Sequence, residues 1–559
     1  MILSSLSEIS NFAGTSLRVN ESLYPQSNIA TEIIMTQISK HKIGVEQYLA
    51  LCMNDSQSTR KKAITTNMIF AVVIALLSSI GFYYFPLVGD DLNSVHAIKE
   101  SFLTGSPVDW TAYADNIKYI FYNNHFRLPN LIMPAMALLP KWIPALLSGL
   151  ALLAVMWQGA RIGGFTNSPV LFAFYATGIV LAFPWIDQMY LISFQMPYLW
   201  GAVFSLLLIR AIFTHRKLPM ALLFLFSTIV SFWMEAYGGA ILGACICLIV
   251  FYKRFRTKSI YTISAGLVMG IICVGYPMII GSTATYHSFF QNRIMMVLPY
   301  LIPTVIYLLL DIAFVFRKRD IVIEPLNLTL TEIAVASLIL TMFFKTGSRV
   351  DGLGVVCALI GIFHLIGKTA IKCGGKIRSL LVLTLLVANS IHLIAVDRMC
   401  YRLGTETKLA VNEFLAGKPQ PVFAPISLRE NAPWYLLQKP YYDWFAHRKT
   451  LAIFNKIYGD ENHKMTVVPI QLKDFSFDKC NPVPGTAGIY EYRGHLVATE
   501  WLGYLMADYG SGAKAREFHC VQFKNVNDTT PICWLHPDQA GIDIVLHPNA
   551  LRIDKLEEE

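Results

Sequence analysis

The chain has 559 residues, 54% of them hydrophobic and only 15% charged, where a soluble domain carries about a quarter charged. Its apolar runs are repeatedly long enough to cross a bilayer, so the formal net charge of +9 belongs to membrane topology and is no nucleic-acid footprint. These figures exclude an ordinary soluble enzyme and set the expectation of a polytopic α-helical membrane protein.

In chain order, residues 1–64 come first, as a polar cytoplasmic extension. They hold no strong apolar core and no small-residue cleavage site, so no cleavable signal peptide is expected. Residues 65–396 then carry about eleven predicted transmembrane helices, near 67–88, 142–160, 167–184, 197–214, 219–234, 236–252, 260–281, 297–316, 328–344, 351–367 and 379–396. Within them, "PWIDQMYLISFQMPYLW" at 184–200 also reads as a re-entrant segment, and "MEAYGG" at 234–239 as a very tight turn. The first two spans are separated by a long outer loop, 89–141. There "LNSVHAIKESF", "ADNIKYIFYNNHF" and "LPNLIMPAMALLP" set apolar side chains at helical spacing, the pattern of helices lying in the interface plane.

Orientation follows from the basic residues. Eighteen Lys and Arg fall in the loops on the side of Arg60, Lys61 and Lys62, and seven in the short loops opposite. The positive-inside rule then puts the N-terminus in the cytoplasm. Eleven crossings leave residues 397–559 outside as an extracytoplasmic, periplasmic domain long enough for its own core. It starts helical at "NAPWYLLQKPYYDWFAHRKTLAIFNKIYG" and turns strand-like at "MTVVPIQL", "AGIYEY", "FHCVQF", "ICWLH" and "GIDIVLH", an α/β composition. Of ten cysteines, Cys400, Cys480, Cys520 and Cys533 fall outside. "CVQFKNVNDTTPIC" reads as two strands around an Asn-Asp turn, open either to a Cys520–Cys533 disulfide or to two buried thiols. No Cys/His spacing resembles a zinc site.

Directly after the first span, "FPLVGDDLNSV" sets Asp90 and Asp91 at the depth of a lipid head group. Carboxylates so near hydrocarbon are costly unless solvated or paired, which makes them functional candidates. Partial desolvation raises a carboxylate's pKa and lets it take a proton from a sugar hydroxyl. The plainer reading is a helix cap, with Asp91 capping "LNSVHAIKESF", and one residue can do both. The other outer loops mix acids, amides, aromatics and isolated cations. Asn124, His125, Trp185, Asp187, Gln188, Glu235 and His287 are candidate sugar or acceptor contacts, because acids and amides bind hydroxyls and aromatic faces stack on a ring. Arg127, Arg293, Lys345 and Arg349 are candidate phosphate contacts. Each, taken singly, is equally a loop or interface anchor. Asp311, Glu332 and His364 lie toward the cytoplasmic ends and read as structural. No P-loop, nucleophile-elbow or dinucleotide fingerprint is present, which argues against nucleotide-driven transport and the familiar hydrolases.

"FPLVGDDLNSV" followed by "YIFYNNHFRLPNLIMP" resembles the GT-C superfamily of polytopic glycosyltransferases, and within it the serotype-converting glucosyltransferases (Gtr) that modify the O-antigen of lipopolysaccharide. The resemblance covers residues 65–160, extends loosely along the span plan to about 396, and hardly touches the final domain. Leu92 stands where those relatives carry an aromatic. The resemblance implies an enzyme of the bacterial inner membrane that takes a polyprenyl-phosphate-linked sugar, glucose in that family, to a lipid-linked polysaccharide acceptor. It also implies work alongside a flippase and a polyprenyl-phosphate sugar synthase. The implied reaction is one inverting displacement, with Asp90 or Asp91 as base, Asp90 favoured, and Arg127, Arg293, Lys345 or Arg349 holding the leaving phosphate. Superfamily members differ in their use of a divalent cation, and no cluster in this chain requires one. Two other readings stay open. An O-antigen polymerase or ligase usually places its large outer segment between later spans, and a polysaccharide-lipid transporter would show inverted repeats and broken mid-bilayer helices.

Overall fold

The computed structural model describes residues 45–123, 126–182, 190–214, 218–280, 294–318, 324–343, 351–368 and 375–417. In the C-terminal part it describes 422–424, 448–460, 467–469, 475–482, 489–493, 495–498, 504–508, 516–524, 531–536 and 545–546. Residues 1–66 and 67–559 form two compact units. The first contributes the start of helix α1 (Val45–Tyr84), where the Thr65 and Thr66 hydroxyls donate to the carbonyls of Lys61 and Lys62, each at 3.0 Å.

The second unit is a helical bundle. After α1 the long loop folds into α2 (Asp90–Ser94), a 3-10 turn (His96–Ile98), α3 (Lys99–Thr104), α4 (Trp110–Asn123) and α5 (Leu128–Leu138). Then come α6 (Trp142–Gly163), α7 (Pro169–Ala182), α8 (Ile192–Phe213), α9 (Met220–Trp233), α10 (Glu235–Phe251) and α11 (Lys258–Ile280). The series ends with α12 (Ile294–Lys318), α13 (Pro325–Phe343), α14 (Gly352–Lys368) and α15 (Gly375–Leu415). Every expected span falls on one of these helices. Five are long and apolar enough to cross a membrane: 60–84 of α1, then α6, α8, 258–276 of α11 and 376–415 of α15. Several others are shorter apolar helices.

Two features depart from the expected boundaries. Helix α15 runs unbroken past residue 396 to Leu415, so the last predicted span and the start of the outer region share one helix. Helix α8 opens with a short α turn and a π segment, Gln195–Trp200, before regular α geometry begins at Gly201. Such π segments are uncommon and cluster at functional sites.

Small residues let helices approach α1 closely. A Cβ at Gly149 of α6 would overlap Ser79 Oγ and the Ala75 carbonyl, and one at Gly404 of α15 would overlap the Tyr84 carbonyl. Both ends of the α1 segment that leads into Asp90 are thus clamped by backbone contact.

Polar side chains sort to two ends of the bundle. At one, Asn67 Nδ2 donates to the Thr166 carbonyl at 2.7 Å, and His364 Nδ1 lies 2.8 Å from the Gly163 carbonyl. Glu324 holds Lys368 there, and Asp311 accepts from Asn327 Nδ2 at 3.2 Å. At the other end stand Asp91, Arg127 and Glu235. Among the loop helices, α4 leaves Trp110 and Tyr119 exposed, whereas α2 and the turn after it face inward. Leu92, Val95 and Ile98 are buried in the protein core with Met133 and Met136, because a short helix beside a bundle buries more area against protein than in the interface.

The C-terminal part has strands β1 (Val422–Ala424) and β2 (Val467–Pro469) as a parallel pair, with helix α16 (Arg448–Tyr458) between them in sequence. A second sheet holds β3 (Asn481–Pro482), β4 (Ile489–Tyr492), β5 (His495–Ala498), β6 (Tyr504–Asp508), β7 (Arg516–Lys524), β8 (Pro531–His536) and β9 (Val545–Leu546). Its order is β3-β4-β5-β8-β7-β6-β9, antiparallel throughout. The expected hairpin is present, but its register pairs Cys520 with Leu535 and Cys533 with Gln522. The two cysteines are therefore offset by two residues along the ladder and do not stand directly opposite one another.

Candidate active site

Gly89 makes the turn out of α1. Its φ of 53° with ψ of −122° is a conformation open to glycine and strained for other residues. The turn delivers Asp90 and Asp91 as the first two residues of α2. Consecutive residues on a helix point about 100° apart, so the two carboxylates face different surroundings. Asp90 is exposed and lines a cavity of about 780 Å³. Asp91 is 2% exposed and is not among the lining residues.

Neither carboxylate caps α2, which has no side-chain cap; the cap expected of Asp91 falls on a different helix. Asp91 Oδ1 accepts the Ser193 N–H at 2.7 Å, and Oδ2 accepts the Ile192 N–H at 3.2 Å. Those are orphan donors at the start of α8, whose own N-cap residue, Leu191, has no side-chain acceptor and makes no cap. Burial pushes the Asp91 carboxyl up to about 7, against the pull of the hydrogen bonds and with a further push from Asp90.

The cavity is built from five pieces of chain. The α2 region supplies Asp90, Asn93, Ser94 and His96, and α4 presents one face through Ala112, Asp115, Asn116, Tyr119 and Ile120. Arg127, Asn130 and Met133 come from the start of α5, and Ser193, Phe194, Pro197 and Tyr198 from the irregular start of α8. Lys456 comes from α16 in the C-terminal part. Pro197 and Tyr198 lie in the π segment and line the same space as Ser193.

Arg127 and Glu235 were assigned separately, to a phosphate and to a sugar; the structure joins them. Arg127 Nε donates to Glu235 Oε2 at 2.7 Å, and Nη2 donates to Oε1, a bidentate fork. Glu235 is the first residue of α10, where the helix dipole favours a carboxylate. Burial opposes the Arg127 charge, but Glu235 and Tyr198 more than reverse that and raise its pKa. With side chains only 12% and 25% exposed, removing one partner strands the other charge. Arg127→Ala is expected to cost about 3 kcal/mol, read as a fall in melting temperature in detergent micelles. Arg127→Ala/Glu235→Ala should recover part of it. A double variant no more stable than the single one would contradict the pairing.

Asn124, His125, Trp185, Asp187, Gln188, His287, Arg293, Lys345 and Arg349 lie outside the described residues. Among the described residues, no group of three or more His, Cys, Asp or Glu is placed to hold a metal ion. Sequence reasoning passed over His96, Asp115, Asn116, Asn130, Tyr198 and Lys456. The available signals were the polar stripe of "TAYADNIKYI" on one helical face and the strongly amphipathic "RKTLAIFNKIY". It also passed over Asp351, fully buried just before α14. Its carboxyl oxygens have no hydrogen-bond partner among the described residues.

No family model and no curated protein matches the chain. Among solved structures, the chain is similar to ArnT from Cupriavidus metallidurans bound to undecaprenyl phosphate. Identity is 14%, with 71% of this chain and 85% of that one covered and a TM-score of 0.37.

Proposed function

We propose that the protein is a membrane glycosyltransferase of the GT-C type. On this reading it moves a sugar, glucose as the sequence resemblance has it, from a polyprenyl-phosphate carrier to a surface polysaccharide such as O-antigen. The observation that carries the reading is the position of Asp90, an exposed carboxylate on the wall of a polar, partly basic cavity at one end of an apolar helical bundle. A volume of about 780 Å³ falls within the range of pockets that take a compact ligand.

In this mechanism Asp90 takes the proton from an acceptor hydroxyl as its oxygen attacks the anomeric carbon. The bond from that carbon to the phosphate oxygen breaks, and polyprenyl phosphate leaves with the electron pair. The configuration at the anomeric carbon inverts. Cations in a partly dry site stabilise the developing phosphate charge. Asp91 is a positioning residue: it holds the start of α8, and with it Ser193 and Phe194, against α2. The protein sits in the bacterial inner membrane with its N-terminus cytoplasmic and its C-terminal domain periplasmic, and it draws on a flippase and a polyprenyl-phosphate sugar synthase for its donor.

The reading is tested with full-length protein in proteoliposomes that contain lipopolysaccharide. Polyprenyl-phosphate-linked glucose and nucleotide-linked glucose are supplied in parallel, and sugar on the polysaccharide is measured by mass spectrometry. Transfer from the lipid donor only is expected. Equal use of the nucleotide sugar, or no bond formed from either, would overturn the reading; a transporter would move lipid across the bilayer without forming a bond.

A further inference from the structure

We propose that Lys456, with His96 beside it, forms the phosphate-binding wall of this cavity, and that the phosphate held there is that of the lipid-linked donor. This inference rests on the glycosyltransfer reading above and assigns it a residue from the C-terminal domain.

The argument starts from charge. A leaving phosphate needs a cation whose donors are open to it. Arg127 is the obvious candidate from sequence, yet Nε and Nη2 of its guanidinium are already engaged by Glu235. Asp115 is likewise paired with Lys118, at 2.9 Å. Apart from the tyrosines Tyr119 and Tyr198, the cavity's other titratable linings are Asp90, His96 and Lys456. Lys456 is exposed and close enough to His96 for its charge, after burial, to depress the imidazole pKa. His96 is thus held toward its neutral form, a hydrogen-bond donor beside the Lys456 charge on the same cavity wall.

The second support is how Lys456 is held. Helix α16 buries Phe454 and Ile457 in the protein core. Lys456 lies between these anchors in sequence and is turned to the opposite, exposed face. Lys99 Nζ donates to the Gly459 carbonyl at 3.3 Å, tying the end of α16 to α3. The helix is therefore fixed on both sides, and Lys456 is directed at the cavity by packing. The donor is favoured over a phosphorylated acceptor because Asp90 lines the same cavity. A base that serves the acceptor hydroxyl and a cation that serves the leaving group belong around one anomeric carbon.

The test uses the purified full chain in detergent micelles, with undecaprenyl phosphate and undecaprenol as paired probes and phosphorylated against dephosphorylated lipid A as a second pair. Binding is read by native mass spectrometry. The wild type should prefer undecaprenyl phosphate to undecaprenol at least tenfold. Lys456→Gln should lose most of that preference with undecaprenol binding unchanged, and Lys456→Arg should keep it. His96→Gln should reduce it about threefold. If Lys456→Gln discriminates as well as the wild type, the inference falls while the glycosyltransfer reading stands. If the wild type shows no preference, both fall. If Lys456→Gln changes only the lipid A pair, the phosphate belongs to the acceptor, and the assignment to the donor is overturned. Lys456 is surface-exposed, so an unchanged melting temperature serves as the folding control.

Discussion

Asp90→Asn lowers sugar transfer at least about 100-fold while the protein remains folded. That expectation follows from a general base contributing roughly 10²–10⁴-fold and from the exposure of Asp90 on the cavity wall. Asparagine keeps the shape and cannot accept the proton. The backbone of α2 is retained as well, because the Ser94 hydroxyl donates to the Asp90 carbonyl, at 2.8 Å, and not to its carboxylate. The measurement is sugar added to lipopolysaccharide in cells at equal protein levels, with melting temperature in micelles as the companion. Wild-type activity in this variant would remove Asp90 from the mechanism. A large fall in melting temperature would instead make it structural.

Asp91 should behave in the opposite way, with stability as its main readout. Asp91→Leu leaves the N–H groups of Ile192 and Ser193 buried with no acceptor from that side chain. At about 1–3 kcal/mol for each of the two unsatisfied donors, the loss is roughly 2–6 kcal/mol. Asp91→Asn retains one acceptor oxygen and turns an NH2 group toward the second N–H, so it should fall between. The raised pKa adds a pH signature. Folding lifts the Asp91 carboxyl from 3.8 to about 7, so between those values the folded chain holds a proton that the unfolded chain has released. Stability therefore falls as pH rises through this window and levels off above it. Melting temperatures of the wild type and Asp91→Asn, measured from pH 4 to pH 8, should diverge across the window. Parallel curves would show that Asp91 does not titrate there.

The contrast between the two aspartates shows how much of the site was legible in the sequence. The pair itself was legible, because a charge pair directly after a long apolar run is a local signal. Which member faces the cavity was not, since that depends on the helix phase set by Gly89. Nor was the cap on α8 visible. Asp91 satisfies donors a hundred residues away, and only the packing of α2 against α8 brings them together. Arg127 and Glu235 were both noticed for their chemistry, and their mutual neutralisation changes what Arg127 can offer a phosphate. Lys456 stood in a quoted stretch, "IFNKIYG", with nothing local to separate it from an ordinary solvated lysine.

By itself the sequence determined the elements: the apolar helices, their sorting by charge into two ends, the amphipathic loop 89–141 and the strand-rich C-terminal part. These depend on hydrophobic runs and on periodicities of a few residues, which are read within one element. Tertiary structure alone decided the cavity, the separate duties of Asp90 and Asp91, the Arg127–Glu235 fork and the arrival of Lys456. Each joins side chains far apart in the chain, and such contacts are set by how helices close on one another, not by the composition of any one of them.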